Sequence, residues 1–141
     1  MSRAVVDPNV LISSRISDLG HPARIARAAD EGRFELVLSE RLLGELSEVL
    51  MRPRFRRYAT EEEVEDFVFG LRAKGIFFED VEAERLVPDD PKDDYLVALT
   101  HASGADYLVS GDPHLAGAEN KVSGTVLTPR QFSELMESEH P

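Results

Sequence analysis

Short apolar runs alternate along this chain with longer segments in which apolar residues recur at helical spacing. The runs that predict buried strands are residues 3–6 with the VLI after Asp7, FELVLS at 34–39, IFFEDV at 76–81, ADYLVSGD at 105–112 and GTVL at 124–127. The segments that predict helices are about 20–31, 39–51, 60–74, 93–102 and 129–137. Alternating strands and helices favour an α/β fold with a central parallel sheet and helices on both faces.

Polar residues mark several predicted element boundaries. Ser39 is placed to cap the helix at 39–51, and Thr60, followed by three glutamates, has the pattern of a capping box. Gly75 follows the end of that helix, and Pro129 begins the last one. The first strand, in contrast, is expected to end in a helix-free bend at Pro8.

The length of 141 residues suits a single domain, 1–141, because a chain of this size buries one sizeable core. The chain has no cysteine, which excludes disulfides and thiolate metal sites and fits a reducing compartment. No apolar stretch is long enough to cross a bilayer, and the N-terminus lacks the apolar region of a signal peptide. We therefore expect a soluble cytoplasmic protein with no membrane partner.

A net charge of −11 argues against a general polyanion binder, but the charge is unevenly distributed. Residues 52–58, called here the basic segment, contain two aromatic residues and four cations, Arg52, Arg54, Arg56 and Arg57. Residues 79–94 are dominated by Asp and Glu. A basic segment beside acids suits an enzyme that grips and cuts a phosphodiester backbone. The alternative is a solvated helix end whose arginines favour the helix dipole.

Two acids follow predicted strands directly, and these are Asp7 after AVV and Asp112 after DYLVSG. The carboxyl ends of parallel strands meet at one rim of a sheet, where α/β folds bind their ligands. Asp7 and the Asn9 amide could there bind Mg²⁺ or Mn²⁺, although an Asx turn also explains this pair. Ser110 could support a ligating carboxylate or a metal-bound water.

Glu45 is a third candidate ligand, because it lies on or beside the apolar stripe of its helix and must find a partner there. An ion pair with Arg41, four residues earlier, is the alternative. Glu48 is expected to be a solvated surface residue.

The segment DDPKDD, residues 89–94, has more carboxylates than one helix start needs. Asp89 and Asp90 are explained by the helix dipole. Asp93 or Asp94 is expected to face the rim, since a bound cation relieves the repulsion between neighbouring carboxylates.

Several other enzyme classes are excluded by motif. There is no GxGxxG, no Walker A lysine and no GxSxG. A phosphoacceptor receiver would carry a lysine at the tip of a late strand, where Ser110 stands here, and a haloacid dehalogenase would carry Asp in place of Asn9. His114 has no metal-ligand spacing with another histidine.

These segments together resemble the PIN domain family, in the branch described as toxins of toxin–antitoxin pairs. The resemblance rests on VVDPNVLIS, LVLSERLLGELSEVL with RPRFRRY, DPKDDYLVALTHASGADYLVSGD and the closing PRQF helix. It implies a compact PIN-like fold and a ribonuclease that depends on Mg²⁺ or Mn²⁺ and prefers single-stranded RNA. The ligands it implies are Asp7, Glu45, Asp93 and Asp112, with Asn9 and Ser110 in support.

The family's helix-start acid corresponds better to Asp93 than to Asp94. The chain departs from the family pattern after Asp112, where a further acid often follows and His114 and Leu115 stand instead. The expected reaction is hydrolysis of an RNA phosphodiester by a metal-activated water. The rival hypothesis is a catalytically silent scaffold that binds metal together with RNA or a protein.

The resemblance also implies a homodimer and an antitoxin partner. A physical reason for self-association is that Phe67 and Phe69 point to different sides of the helix at 60–74, and one small sheet cannot easily cover both. In the alternative, Phe69 packs under the strand at 75–80.

Overall fold

The computed structural model describes residues 1–81, 94–117 and 124–139. The strands are β1 (Arg3–Val6), β2 (Glu35–Leu38), β3 (Ile76–Phe77), β4 (Tyr107–Val109) and β5 (Thr125–Leu127). The helices are α1 (Pro8–Ile16), α2 (His21–Asp30), α3 (Glu40–Leu50), α4 (Glu61–Lys74), α5 (Asp94–Ser103), α6 (Pro113–Gly117) and α7 (Pro129–Glu139), with a 3₁₀ turn at Pro53–Phe55.

The five strands form one parallel sheet in the order β3-β2-β1-β4-β5. The central strand β1 contributes Ala4, Val5 and Val6, which are fully buried. Three successive buried side chains in a central strand are typical of a parallel sheet that is covered on both faces. The predicted α/β fold, with a parallel sheet flanked by helices, is thus confirmed.

The order in which the strands are added to the sheet changes direction between the neighbouring strands β1 and β4. The chain runs outward from β1 through β2 to β3, and then crosses back to β4 and β5. Right-handed crossovers place α1–α4 on one face and α5 on the other. In agreement, α1 contacts α2 and α3, and α4 contacts both of these helices, whereas α5 contacts β1 and β4. The crevice at the carboxyl ends of β1 and β4 is therefore the topological switch point, where such sheets hold ligands.

The helix-free bend predicted after Asp7 is wrong, because α1 begins directly at Pro8. The Asp7 carboxylate caps this helix and Pro8 occupies its first turn, where a missing N–H costs nothing. Most of α1 is buried, including the VLI segment, residues 10–12, assigned to the strand. The short helix α6 was not predicted either.

The predicted helix caps are confirmed. The Ser39 hydroxyl accepts a hydrogen bond from the Leu42 N–H at the start of α3. Thr60 and Glu63 form a reciprocal capping box at the start of α4.

The two phenylalanines of α4 differ in their surroundings. Phe67 packs against the core, whereas Phe69 is 72% exposed. The alternative in which Phe69 packs under the strand at 75–80 is therefore wrong. Among residues 1–81, 94–117 and 124–139, no helix is long and apolar enough to cross a membrane.

Candidate active site

Asp7 lies at the switch point, between the end of β1 and the first turn of α1. It is a buried acid, with only 4% of the residue exposed. Its Oδ1 accepts the Asn9 backbone N–H at 2.9 Å, and its Oδ2 accepts the Ser110 hydroxyl at 2.8 Å. The carboxylate is therefore held in one orientation by donors from both halves of the sheet. The Asn9 residue itself is exposed at the rim.

Burial raises the pKa of Asp7 above its ordinary value. The hydrogen bonds from Asn9 and Ser110 oppose this shift in the pKa, while the negative charges of Glu45 and Asp112 add to it. Three of the predicted acids consequently interact electrostatically across the fold. Such a group of carboxylates is stabilised by a cation.

The loop after β4 places Asp112 through a short chain of hydrogen bonds. The Ser110 hydroxyl accepts the Asp112 N–H at 3.0 Å, and Asp112 Oδ1 accepts the His114 N–H at 2.8 Å. The imidazole Nδ1 of His114 lies 3.2 Å from the same carboxylate oxygen. His114 therefore belongs to the surroundings of Asp112, a contact that the sequence did not indicate.

Glu45 on α3 is held by Tyr95, a residue that sequence reasoning missed. The Tyr95 hydroxyl donates to Glu45 Oε2 at 2.5 Å, and Tyr95 is only 3% exposed. Burial and the Glu45 carboxylate raise the pKa of Tyr95 far above its usual value, so the phenol stays protonated and donates. The signal in the sequence was an aromatic residue with a polar tip directly after the acidic helix start.

Asp93 lies outside the described residues, so the structure does not place this predicted ligand. Asp94 is the first residue of α5, and its side chain is not described. Among the residues that are described, no group of three or more acids and histidines is arranged to hold a metal ion.

The chemistry of the donors nevertheless fits a hard cation. Asp7, Glu45 and Asp112 all offer carboxylate oxygens, which Mg²⁺ and Mn²⁺ prefer, and the chain has no thiolate. A cavity of about 380 Å³ opens at the rim beside Asp7 and Asp112. It is lined by Asp7, Asn9, Val10, Ser13, Pro22, Gly111, Asp112 and Pro129.

The four arginines of the basic segment have different environments. Arg52 pairs with Glu48 at 3.0 Å, and Arg56 is half-buried and donates to the Leu50 carbonyl at the end of α3. Arg54 and Arg57 are exposed. Their guanidinium groups lie against the neighbouring rings of Phe55 and Tyr58, at 4.9 and 5.3 Å from the ring centroids.

A model of the PIN domain family matches residues 3–114, which is most of the chain. The chain belongs to the PIN domain family. Members of this family are typically nucleases and usually bind Mg²⁺ or Mn²⁺. The resemblance inferred from the motifs is therefore confirmed.

A solved structure gives the same fold at low sequence identity. The crystal structure of PAE2754 from Pyrobaculum aerophilum superposes with a TM-score of 0.64 and 12% identity, covering 97% of this chain and 90% of the other. At this identity the likeness shows the fold alone. No curated protein matches this PIN domain chain.

Proposed function

We propose that this PIN domain protein is a metal-dependent endoribonuclease that hydrolyses phosphodiester bonds of single-stranded RNA. The observation that carries the proposal is the position of Asp7. It lies at the switch point of the sheet, where its burial raises its pKa and the charges of Glu45 and Asp112 add to that rise. A fold gains nothing in stability from three interacting carboxylates, so their arrangement supports a ligand-binding role.

Asp7, Glu45 and Asp112 are proposed to hold Mg²⁺ or Mn²⁺, together with Asp93 or Asp94 from the start of α5. Such an ion, when bound, lowers the pKa of a coordinated water and neutralises charge on the scissile phosphate. Ser110 and the Asn9 N–H fix the orientation of Asp7, and the Tyr95 hydroxyl fixes that of Glu45. Ligands that are held in place before the substrate arrives need no reorganisation during the reaction.

The basic segment is proposed to bind the RNA backbone. Glu45 lies about 8 Å along the helix axis from the end of α3 at Leu50, after which the segment begins. Arg54 and Arg57 expose their guanidinium groups, and Tyr58 is 41% exposed. An exposed ring between cations suits a single strand, since unpaired bases can stack on it.

Mn²⁺-dependent cleavage of a panel of single-stranded RNAs, with the matching duplexes as controls, tests the proposal. We expect the single strands to be cut, and Asp7→Asn and Asp112→Asn to abolish cutting while circular dichroism shows a preserved fold. Metal and RNA binding without cleavage would instead identify the silent scaffold. Loss of folding in both variants would assign the two acids a structural role.

The toxin role and its partners are part of the proposal. Growth arrest on expression in bacteria, relieved by Asp7→Asn, would support a toxin whose activity an antitoxin restrains. The exposed Phe69 ring on α4 supports association with a second copy of the chain.

A further inference from the structure

Arg41 lies on α3 one turn before Glu45, and both residues contact Tyr95. The Arg41 guanidinium carbon lies 4.3 Å from the centroid of the Tyr95 ring, while the Tyr95 hydroxyl donates to Glu45. One buried aromatic side chain therefore contacts a cation with its face and a carboxylate with its tip. The sequence alternative, an ion pair between Arg41 and Glu45, does not occur in the structure as described.

Arg72 and Arg52 are each held by a carboxylate of α3. Arg72 forms two hydrogen bonds to Glu40, and Arg52 pairs with Glu48. The Arg41 guanidinium forms no ion pair with any residue that the structure describes, although the Arg41 residue is exposed beside the acidic site. Its backbone N–H is separately fixed, because it donates to Asp80 Oδ2 at 2.9 Å.

The N–H donors of a guanidinium lie at its edges, so a contact between its face and a ring leaves those donors available to a phosphate. These donors match the spacing of two phosphate oxygens. Contact with the ring already restricts the long Arg41 side chain, so less conformational entropy is lost when a phosphate binds. The nearby carboxylates repel the phosphates of RNA. A fixed cation beside them offsets this repulsion and favours a phosphate at this position.

We propose that Arg41 is a substrate-binding residue that donates to a backbone phosphate of single-stranded RNA beside the acidic site. Tyr95 is the positioning residue of this unit, since it holds the guanidinium and Glu45 in a fixed relation. The inference rests on the proposed nuclease function and adds a phosphate contact outside the basic segment.

The test uses the full chain and a fluorescent single-stranded oligoribonucleotide, with binding followed by anisotropy in Ca²⁺ over a range of salt concentrations. Arg41→Ala should weaken RNA binding about tenfold and reduce the salt dependence by about one phosphate contact. Arg41→Lys keeps the charge, so it should retain the salt dependence with an intermediate affinity. Calorimetry should show unchanged Mn²⁺ binding in both variants.

Two further variants separate the parts of the unit. Tyr95→Phe keeps the ring but loses the hydroxyl, so Mn²⁺ affinity should fall while RNA affinity in Ca²⁺ stays within about twofold of wild type. Arg130→Ala removes an exposed arginine of α7 that pairs with Glu134, and should change neither affinity.

The results distinguish this inference from the proposed function. If wild-type protein cleaves RNA and Arg41→Ala binds RNA with unchanged affinity and salt dependence, the nuclease stands and the Arg41 inference is wrong. If no variant cleaves but Arg41→Ala still loses affinity and salt dependence, the inference stands without the activity. Equal losses of Mn²⁺ and RNA binding in Arg41→Ala would mark a structural role and overturn the inference.

Discussion

The Ser110 hydroxyl donates to the Asp7 carboxylate at 2.8 Å, which joins two residues that are 103 positions apart in the chain. The same neighbourhood contains a backbone bond from the Asp7 N–H to the Val109 carbonyl at 2.9 Å. Strands β1 and β4 are therefore tied at their carboxyl ends, where the acids meet. The hydroxyl also accepts the Asp112 N–H, so one side chain orients two of the candidate ligands.

We predict that Ser110→Ala lowers Mn²⁺ affinity by about 10–100-fold, because the carboxylates lose the group that orients them. The change should also cost about 1–3 kcal/mol of unfolding free energy, since the buried Asp7 oxygen and the Asp112 N–H are left without this partner. Calorimetry with Mn²⁺ and urea unfolding measure the two effects.

Ser133→Ala is the matched control. Ser133 is also buried, and its hydroxyl has no hydrogen-bond partner within the described ranges. Its removal should leave both metal affinity and stability near wild type. Equal effects of the two serine variants would mean that the Ser110 hydrogen bonds carry no special role.

Asp7→Asn tests the electrostatics of the site without metal. The pKa of Asp7 is raised in the folded protein, so ionisation of Asp7 costs folding free energy. The folded protein therefore favours the protonated Asp7 carboxyl. The stability that this carboxyl contributes is fully present below the pKa of the unfolded state and is lost as the pH rises through the folded-state pKa. In EDTA we expect Asp7→Asn to be more stable than wild type at neutral pH, with the advantage shrinking as the pH is lowered.

Asn remains a good helix cap, so the start of α1 should survive this change. Urea unfolding at several pH values, with Mn²⁺ added back in a parallel series, gives the comparison. Added Mn²⁺ should stabilise wild type and not the variant. A variant that is less stable than wild type at neutral pH in EDTA would show that the capping bonds outweigh the repulsion.

The starts of α3 and α4 could be predicted from sequence because their caps are local. Ser39 and Thr60 each satisfy backbone groups within three residues, and a pattern over that distance carries the information. Helix α1 escaped prediction because Val10, Leu11 and Ile12 are all buried. A short apolar run that is buried on every side has no periodicity to separate helix from strand.

Asp7 and Asp112 could be proposed from their places after strands and Glu45 from its place on the apolar stripe of its helix, whereas the partners of these acids could not. Tyr95 reaches Glu45 across 50 positions of sequence, and His114 contacts Asp112 because α6 begins between them. The His114 contact is local but follows from a helix that was not predicted, whereas the Tyr95 contact depends on how elements pack, so a local pattern does not contain it. The same holds for Arg41, whose stacking on Tyr95 replaces the local ion pair that helical spacing suggested.

Neutralising the basic segment should weaken RNA binding through charge. We predict that Arg54→Gln with Arg57→Gln lowers RNA affinity and flattens its salt dependence, while Mn²⁺ binding is retained. Adding Arg56→Gln should also lower stability, because Arg56 donates to the Leu50 carbonyl at the end of α3. Anisotropy across a salt series and thermal unfolding separate the two effects.

Arg24→Gln, at an exposed arginine of α2 that lies 3.5 Å from Glu137, controls for the loss of charge alone. It should leave RNA affinity close to wild type. Unchanged affinity at low salt in the double variant would assign the basic segment to helix capping or to a protein interface.

Phe69 provides the test of self-association. The Phe69 residue is 72% exposed on α4, whereas Phe67, two positions earlier and on a different side of the helix, packs against the core with its ring 5.0 Å from the Arg15 guanidinium. We expect wild-type protein to be a two-fold dimer, because an exposed aromatic on a packed helix is most simply covered by the same face of a second copy. Phe69→Ser should convert the dimer to a monomer in light scattering at micromolar concentration.

The monomeric variant should keep its fold, since a surface substitution changes stability by only about 0.5 kcal/mol. Leu19→Ser is the control, because Leu19 is 84% exposed in the loop between α1 and α2 and lies outside α4. It should remain a dimer. If the monomeric variant also binds RNA more weakly, the dimer brings two basic segments to one substrate. If wild-type protein is a monomer in light scattering, the dimer is removed from the proposal and the proposed active site is unaffected.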